Sequence, residues 1–442
     1  MAEKFKRVRG TNDFYPLDKA KFNFVAERLK ETVRRYGYQE VTVPSLESFR
    51  LLAAKSGEEI KQQMFTLTPK SVIKQPEEVE KEELALIPEF TPGMARMFVA
   101  KQKELVKPVK WFTFDKLWRY EAPQKGRERE FYQLSVECYG SSFPEADAEV
   151  INLCIDSLKS FGLSSKDFVV KVNNRKLLSG ILSDILPKAK DQKSEVIRLI
   201  DKSRKIPEET FDRLLAEQGL DAVKRERIKA LVSLRGEPKK VLAKLKMTSL
   251  NAEAKEGFVE LSKIISLVQD KSVELDLSVA RGLAYYTGTV FEVYDKAETL
   301  RAIAGGGRYD GLVELFGGEP TPAVGFGMGY STLSLLLDAK GLLPRKISGV
   351  DFYVASVNEK MSQKARELTQ KLRLKWSAET DLLRRKLSKQ LEYAASIGAT
   401  KVVIVGPEEL KKGKVVVRDM ASGKEEEVSI DELLKYNIVK LN

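Results

Sequence analysis

Histidine is absent from this sequence, which removes the side chain that most often serves as a general base and as a metal ligand. Cysteine is nearly absent as well. Only Cys138 and Cys154 occur, with no close CxxC pair, so the sequence predicts neither a disulfide framework nor a thiolate zinc site. No apolar run approaches the ~18 residues that a membrane span needs, and the charged beginning MAEKFKRVRG lacks the apolar segment of a signal peptide. These absences predict a cytoplasmic protein without a membrane attachment.

Charged residues, by contrast, are abundant. They make up 32% of the 442 residues, against about 25% in an average soluble protein. The hydrophobic fraction of 43% predicts a folded chain, and the length predicts two or three domains. The net charge of +12 favours a polyanionic partner such as nucleic acid or a nucleotide, although a generally basic proteome explains this charge equally well.

Hydrophobic periodicity divides the chain into segments of different character. From Leu17 apolar residues recur every three or four positions until Gly37, which predicts a helix, and residues 40–44 alternate like a strand. After Asn174 the residues are helix formers rich in Lys, Glu and Leu, which predicts a helical insertion. From Val350 onward strands and helices alternate as in a small α/β domain. The predicted divisions are a first domain in two parts, 1–174 and 271–343, an insertion, 175–270, and a C-terminal domain, 348–442.

One stretch, RYEAPQKGREREFYQ at 119–133, places arginines on both arms of a charged turn between two apolar segments that read as antiparallel strands. Alternating Arg and Glu on exposed strands are typical of cross-strand surface pairs. Arginine is also the side chain that grips phosphate with a planar fork, so the same hairpin is suited to hold a bent triphosphate. Glycine clusters follow in AGGGRYDG at 304–311 and GFGMG at 325–329, where the backbone can approach a ligand closely.

Together these segments resemble the histidyl-tRNA synthetase family, which belongs to the class II aminoacyl-tRNA synthetases. The motifs that carry the resemblance stand in the family's order along essentially the whole chain: RGTNDFYP, YQEVTVPSLE, WRYEAPQKGREREFYQ, VARGLAYYTGTVFE, AGGGRYDGLV and GFGMG. The resemblance implies an α+β fold, with an antiparallel catalytic sheet flanked by helices, a helical insertion and a C-terminal α/β anticodon-binding domain. It also implies a homodimeric enzyme that attaches L-histidine to tRNA(His) through a histidyl-adenylate, using ATP with Mg²⁺.

The resemblance further implies a role for individual residues. The catalytic residues are Arg119 and Arg281, which act at the ATP α-phosphate. The ATP-binding residues are Arg119, Glu121, Arg127, Arg129 and Arg308. The histidine-binding residues are Glu89, Thr91, Gln133, Glu137, Arg281, Tyr285 and Tyr286. Gln124 and Lys125 belong to the loop that faces the tRNA acceptor end, and the protein supplies no metal ligand of its own.

These roles are chemically consistent. A neutral imidazole has one N–H donor and one acceptor nitrogen, so Glu137 on one side and Tyr286 on the other can read both. A pocket of this kind rejects ligands that leave its polar groups unpaired. The attacking group of the first step is a carboxylate that is already ionised, so positioning and cationic stabilisation by Arg119 and Arg281 replace a general base.

The sequence departs from the family pattern in two places, and two other functions compete with the enzyme. The third class motif usually continues with Glu-Arg-Leu, but this chain has Ser331, Thr332 and Leu333. Either the chain binds ATP without this arginine, or another arginine such as Arg308 compensates, or ATP binding is impaired. Ala284 stands where many members carry an acidic residue. One rival is a non-catalytic histidine sensor related to the synthetases, although such paralogs lack the anticodon domain. The other is a simple nucleic-acid-binding protein, which would leave the Glu137 and Tyr286 pocket unexplained.

Overall fold

Helix α1 illustrates how the sequence pattern becomes structure. The computed structural model places it at Pro16–Arg35, and its buried side chains include Phe22, Val25 and Leu29, at spacings of three and four residues. A proline at the first helical position suits the helix start, and the chain turns away at Gly37. The predicted helix is therefore confirmed. The structure describes residues 5–55, 62–67, 83–186, 190–246, 249–281, 285–346 and 349–435.

The described residues form two units, 1–343 and 344–442. The helices of the first unit are α1, α2 (Phe49–Lys55), α3 (Thr91–Lys101), α4 (Pro144–Lys159), α5 (Arg175–Ile185), α6 (Lys190–Lys202), α7 (Glu208–Glu217), α8 (Ala222–Val232), α9 (Pro238–Lys246), α10 (Ala252–Val268), α11 (Leu312–Leu315) and α12 (Tyr330–Ala339). A 3₁₀ turn at Ser203–Lys205 follows α6. No helix within the described ranges combines the length and the apolar character that crossing a membrane would require.

A large sheet is the centre of the first unit. From edge to edge its strands are β1 (Gln39–Glu40), β5 (Val109–Trp118), β6 (Glu130–Tyr139), β12 (Ala323–Gly329), β11 (Ala304–Arg308), β10 (Thr289–Asp295), β7 (Phe168–Asn174), β9 (Val273–Asp276) and β8 (Arg235–Gly236). A small antiparallel sheet is formed by β2 (Leu46–Ser48), β4 (Leu84–Leu86) and β3 (Thr66–Leu67). Strands β5 and β6 pair antiparallel over ten residues each, so the predicted hairpin is confirmed.

The sheet is antiparallel as predicted except at two pairs of strands. Strand β1 pairs with β5 in parallel, and β7 pairs with β9 in parallel. Parallel neighbours need a long crossover connection, and the helical insertion supplies one between β7 and β9. The strand predicted at residues 40–44 is also shorter than expected. The strand ends at Glu40. Pro44, which has no N–H group to donate, could not have continued the pairing.

The segment after β7 is helical as predicted, since α5 to α10 occupy most of it. The residue pattern does not predict the strand that this segment adds to the central sheet. Strand β8 pairs antiparallel with β9 at the sheet edge. The insertion is therefore hydrogen-bonded to the main sheet.

The second unit follows the predicted order of strands and helices. Its elements are β13 (Phe352–Ser356), a 3₁₀ turn (Glu359–Met361), α13 (Ser362–Leu372), β14 (Ala378–Thr380), α14 (Leu387–Ser396), β15 (Lys401–Val405), α15 (Pro407–Lys411), β16 (Lys414–Asp419), β17 (Glu425–Ser429) and α16 (Ile430–Leu433). Strands β14, β13 and β15 are parallel, and β15, β16 and β17 are antiparallel. This unit has its own buried core, centred on Phe352, Val354 and Val403.

Candidate active site

Alternation along β6 creates the floor of a pocket in the first unit. Residues 134, 136 and 138 are buried in the core beneath the sheet, whereas Gln133, Ser135 and Glu137 point to the other face and line the pocket. Neighbouring β12 places Gly325 directly opposite Glu137 in the strand register. A Cβ atom at Gly325 would lie 2.4 Å from Glu137 Oε2, so only glycine leaves room for this carboxylate.

Most of the predicted site residues meet in this pocket. Those that line it are Glu89, Thr91, Arg119, Glu121, Arg127, Gln133, Glu137, Arg281, Tyr285 and Tyr286. They come from the start of α3, the β5–β6 hairpin and the segment before β10, which are far apart in sequence. Two residues without an assigned role, Tyr309 and Arg301, line the same pocket. Tyr309 lies within the motif AGGGRYDG, but the resemblance implies no role for its side chain. Arg301 lies outside the motifs that carry the resemblance.

One end of the pocket combines a buried carboxylate with a cluster of tyrosine rings. Glu137 is 1% exposed, and Thr91 Oγ1 donates a hydrogen bond to its Oε1 over 2.8 Å. The rings of Tyr285 and Tyr286 lie 4.6 Å apart, and Tyr309 meets both rings edge-on. Burial raises the pKa of the Tyr285 and Tyr286 phenols, so both remain hydrogen-bond donors at neutral pH. This end offers an acceptor and donors within one buried space.

Arginines characterise the rest of the pocket. Arg119 follows β5, donates from Nε to the Pro88 carbonyl oxygen over 2.9 Å and lies over the Phe131 ring. Burial lowers the pKa of Arg119 and the nearby Glu89 opposes this shift, but an arginine remains charged at neutral pH.

Arg281 stands beside a glycine that makes room for it. A Cβ atom at Gly305 would lie 1.5 Å from Arg281 Nη1, so a larger residue there would displace the guanidinium. Glu292 Oε1 lies 3.5 Å from the same nitrogen. Arg127 forms an ion pair with Glu121 across the hairpin turn. The pocket lining thus brings Arg119, Arg127, Arg281 and Arg301 around one space.

Two arginines predicted to bind ATP lie elsewhere. Arg308 is 5% exposed and does not line the pocket, because its Nε donates to Asp147 and its Nη1 donates to the Ser141 carbonyl oxygen over 2.8 Å and to Asp310 over 3.1 Å. The suggestion that Arg308 compensates for the missing third-motif arginine is therefore corrected, since its donors serve the fold. Arg129 is also outside the lining, with its guanidinium 4.1 Å from the Tyr120 ring centre.

The hairpin turn separates the pocket from a second cavity. Gln124 and Lys125 line this neighbouring cavity together with the N-terminal residues Thr11 and Asn12. The turn is closed by reciprocal backbone hydrogen bonds between Gln124 and Arg127, of 3.0 and 2.8 Å. Arg127 borders both cavities, so the turn lies between them.

The departure from the third class motif has a visible consequence. Ser331 donates a hydrogen bond to Glu128, which also accepts one from Asn12 Nδ2 over 2.8 Å. Thr332 is buried and lines the pocket. Ala284, the second departure, lies outside the described residues. Within the described ranges no group of three Cys, Asp or Glu side chains is arranged to hold a metal ion.

Comparisons with known proteins agree with this architecture. A family model described as histidyl-tRNA synthetase matches residues 10–333, and one described as an anticodon binding domain matches residues 351–440. The histidine–tRNA ligase of Pyrococcus furiosus is 38% identical over 439 residues, which cover 98% of each chain. The corresponding ligase of Haloarcula marismortui is 37% identical over 432 residues, covering 96% of this chain and 95% of that relative. A crystal structure of histidyl-tRNA synthetase from a Nostoc species superposes with a TM-score of 0.81 at 27% identity, covering 98% of this chain and 99% of the other.

Proposed function

The chain belongs to the histidyl-tRNA synthetase family, and from this membership and the pocket we propose that it attaches L-histidine to tRNA(His) with ATP through a histidyl-adenylate. The observation that carries the proposal is that one pocket contains both a buried polar end and a cluster of arginines. Glu137, Tyr286 and Tyr309 form a buried polar end, and Arg119, Arg281 and Arg301 line the same pocket. An amino acid with an imidazole ring fits the polar end, and a triphosphate fits the arginines.

Histidine binds with its ring at the buried end. The Glu137 carboxylate accepts the imidazole N–H, and the Tyr286 phenol donates to the other ring nitrogen. Thr91 holds the Glu137 carboxylate in place through the hydrogen bond to Oε1. Glu89 and Gln133, which line the same pocket, receive the α-amino group. The imidazole ring and the α-amino group of the substrate then each have a partner.

ATP binds along the arginines, with Mg²⁺ arriving as part of the nucleotide substrate. The histidine carboxylate attacks the α-phosphorus, a bond forms between oxygen and phosphorus, and pyrophosphate leaves. Arg119 and Arg281 stabilise the charge that develops at the α-phosphate. Arg127 and Glu121 belong to the nucleotide side of the pocket, and we assign Arg301 to the cationic role that Arg308 does not fill. No proton has to be removed from the nucleophile, so the lack of histidine residues does not hinder this step.

The second step transfers the histidyl group to tRNA. A ribose hydroxyl of the acceptor end attacks the carbonyl carbon of the adenylate, and AMP leaves with the proton passing to a phosphate oxygen. Gln124 and Lys125, at the turn beside the second cavity, contact the acceptor end. Residues 348–442 bind the anticodon, and residues 175–270 act as the insertion within a catalytic domain formed by 1–174 and 271–343. We further propose that the protein is a homodimer and acts in the cytoplasm.

Histidine-dependent exchange of pyrophosphate into ATP tests this function. The wild-type chain should catalyse exchange only when histidine is present, and Arg281→Ala should lower the rate by at least about 100-fold, because it removes a preorganised cation at the reacting phosphorus. Arg198→Ala is a matched control, since Arg198 is a surface residue paired with Glu195. Wild-type protein that binds histidine but shows no exchange would favour the sensor function instead.

A further inference from the structure

Arg281 has a backbone conformation that its residue type does not favour. Its φ angle is +50°, in the left-handed region that L-residues other than glycine, asparagine and aspartate rarely adopt. Such a conformation persists only where surrounding contacts fix it, and it often occurs at functional sites. The guanidinium beside Gly305 depends on this backbone, because a change in φ would swing the side chain away.

Arg175 contacts both ends of the segment that carries Arg281. Its side-chain Nη1 donates to the Ala280 carbonyl oxygen over 2.7 Å and lies 3.5 Å from the Arg281 carbonyl oxygen. Its main-chain N–H donates to the Gly288 carbonyl oxygen over 2.8 Å. One residue thus contacts main-chain groups on both sides of the proposed histidine-binding tyrosines, at residues 280–281 and at residue 288.

Arg175 is itself rigidly placed. It is the first residue of α5, and the preceding Asn174 caps this helix by accepting hydrogen bonds from the main-chain N–H groups of Lys176 and Leu177. Asn173, at the end of β7, extends the same set of contacts by donating to the Leu277 and Val279 carbonyl oxygens, over 3.2 and 2.9 Å. The end of β7 and the start of the insertion therefore donate hydrogen bonds to the carbonyl oxygens of residues 277, 279 and 280, which precede Arg281.

We propose that Arg175 is a positioning residue for the activation step, which holds the left-handed backbone of Arg281 so that its guanidinium reaches the α-phosphate. Arg175 does not line the pocket and touches no reacting atom, so its effect passes through Arg281. The first helix of the insertion thereby serves catalysis as well as the fold. The inference rests on the proposed role of Arg281.

The test compares Arg175→Ala, Arg281→Ala and the double variant in histidine-dependent exchange. Arg175→Ala should lower kcat by at least about tenfold. It should change the KM for ATP by less than about threefold, because Arg119 and Arg127 belong to the β5–β6 hairpin, which Arg175 does not hold. Adding Arg175→Ala to Arg281→Ala should lower kcat by no more than about twofold further, because residues that act as one unit are not additive. Arg175→Lys, which keeps one donor, should recover part of the rate.

Arg225→Ala is the matched control. Arg225 also lies in the insertion, is 23% exposed, and donates from Nη1 to a carbonyl oxygen, that of Leu220, over 3.0 Å. It should keep wild-type kcat. If Arg175→Ala does not fold, the comparison of Arg175→Lys with the wild type and with Arg281→Ala carries the test.

Several outcomes would overturn the inference. One is a kcat of Arg175→Ala indistinguishable from wild type or, where Arg175→Ala does not fold, a kcat of Arg175→Lys indistinguishable from wild type. The others are losses that multiply in the double variant and an equal loss in Arg225→Ala. If Arg281→Ala itself keeps full exchange activity, the proposed role of Arg281 fails and the inference fails with it. If Arg281→Ala is inactive while Arg175→Ala is active, only the inference fails.

Discussion

Replacing Tyr286 by phenylalanine tests whether its hydroxyl binds the imidazole ring of histidine. The Tyr286 side chain is 7% exposed and packs between Tyr285, with ring centres 4.6 Å apart, and Tyr309, with ring centres 6.2 Å apart. Phenylalanine keeps these ring contacts and removes only the hydroxyl. The acceptor nitrogen of the bound imidazole then has no donor and no access to water.

The expected cost follows from this burial. An unsatisfied buried polar group costs about 1–3 kcal/mol, which corresponds to a dissociation constant for histidine raised by about 5- to 150-fold. The kcat at saturating histidine should stay within about threefold of wild type, because the arginines at the phosphate are unchanged. Calorimetric titration with histidine alone measures the first quantity, and pyrophosphate exchange measures the second.

A substrate analogue makes this test specific. Pyrrol-2-ylalanine keeps a ring N–H but lacks the acceptor nitrogen, so wild-type protein should bind it more weakly than histidine. Tyr286→Phe should lose most of this discrimination, because the donor that distinguishes the two rings is gone. Tyr139→Phe is the control, since the buried Tyr139 hydroxyl has no hydrogen-bond partner in the part of the chain that the structure describes. Unchanged discrimination in Tyr286→Phe would refute the assignment of this phenol to the imidazole.

Four further predictions concern other parts of the molecule. Arg308→Ala should lower the free energy of unfolding by about 3–5 kcal/mol, because it leaves the buried Asp147 carboxylate unpaired, and a raised KM for ATP with unchanged stability would restore Arg308 to the nucleotide site. Thr332→Arg should keep exchange activity, and the wild-type chain should bind ATP well enough for exchange at millimolar ATP. If the wild-type chain shows no histidine-dependent exchange at millimolar ATP, the proposed enzymatic function is contradicted. A chain ending at Leu343 should keep histidine activation and lose most tRNA charging, and equal charging would contradict the anticodon assignment. Single-turnover transfer from an adenylate of a non-titrating histidine analogue should show no ionisation near pH 6.5, since the chain has no imidazole, and an ionisation there would indicate a shifted carboxylate acting as base.

Local patterns in the sequence were sufficient for several elements. The apolar spacing of α1, the apolar arms of the β5–β6 hairpin and the alternating order of the C-terminal unit all predicted the observed elements. These elements depend on contacts between residues close in sequence or on one periodic apolar face. The spacing of apolar residues along the chain is therefore enough to predict them. Most of the site residues predicted from the motifs do line the pocket, because those motifs identify a family whose members build the same site.

Tertiary structure decided which polar groups remain for the ligand. Arg308 stands in a promising motif, but the fold brings Asp147, 161 positions away, against its guanidinium. Arg301 has no motif around it and still lines the pocket, and β8 joins the sheet edge from within a helical segment. Arg175 and Arg281 are 106 positions apart and meet only because β7 lies beside β10 and β9. The physical reason is that burial and pairing of charges depend on neighbours brought by the chain's path, and the spacing of residues along one segment carries no information about those neighbours.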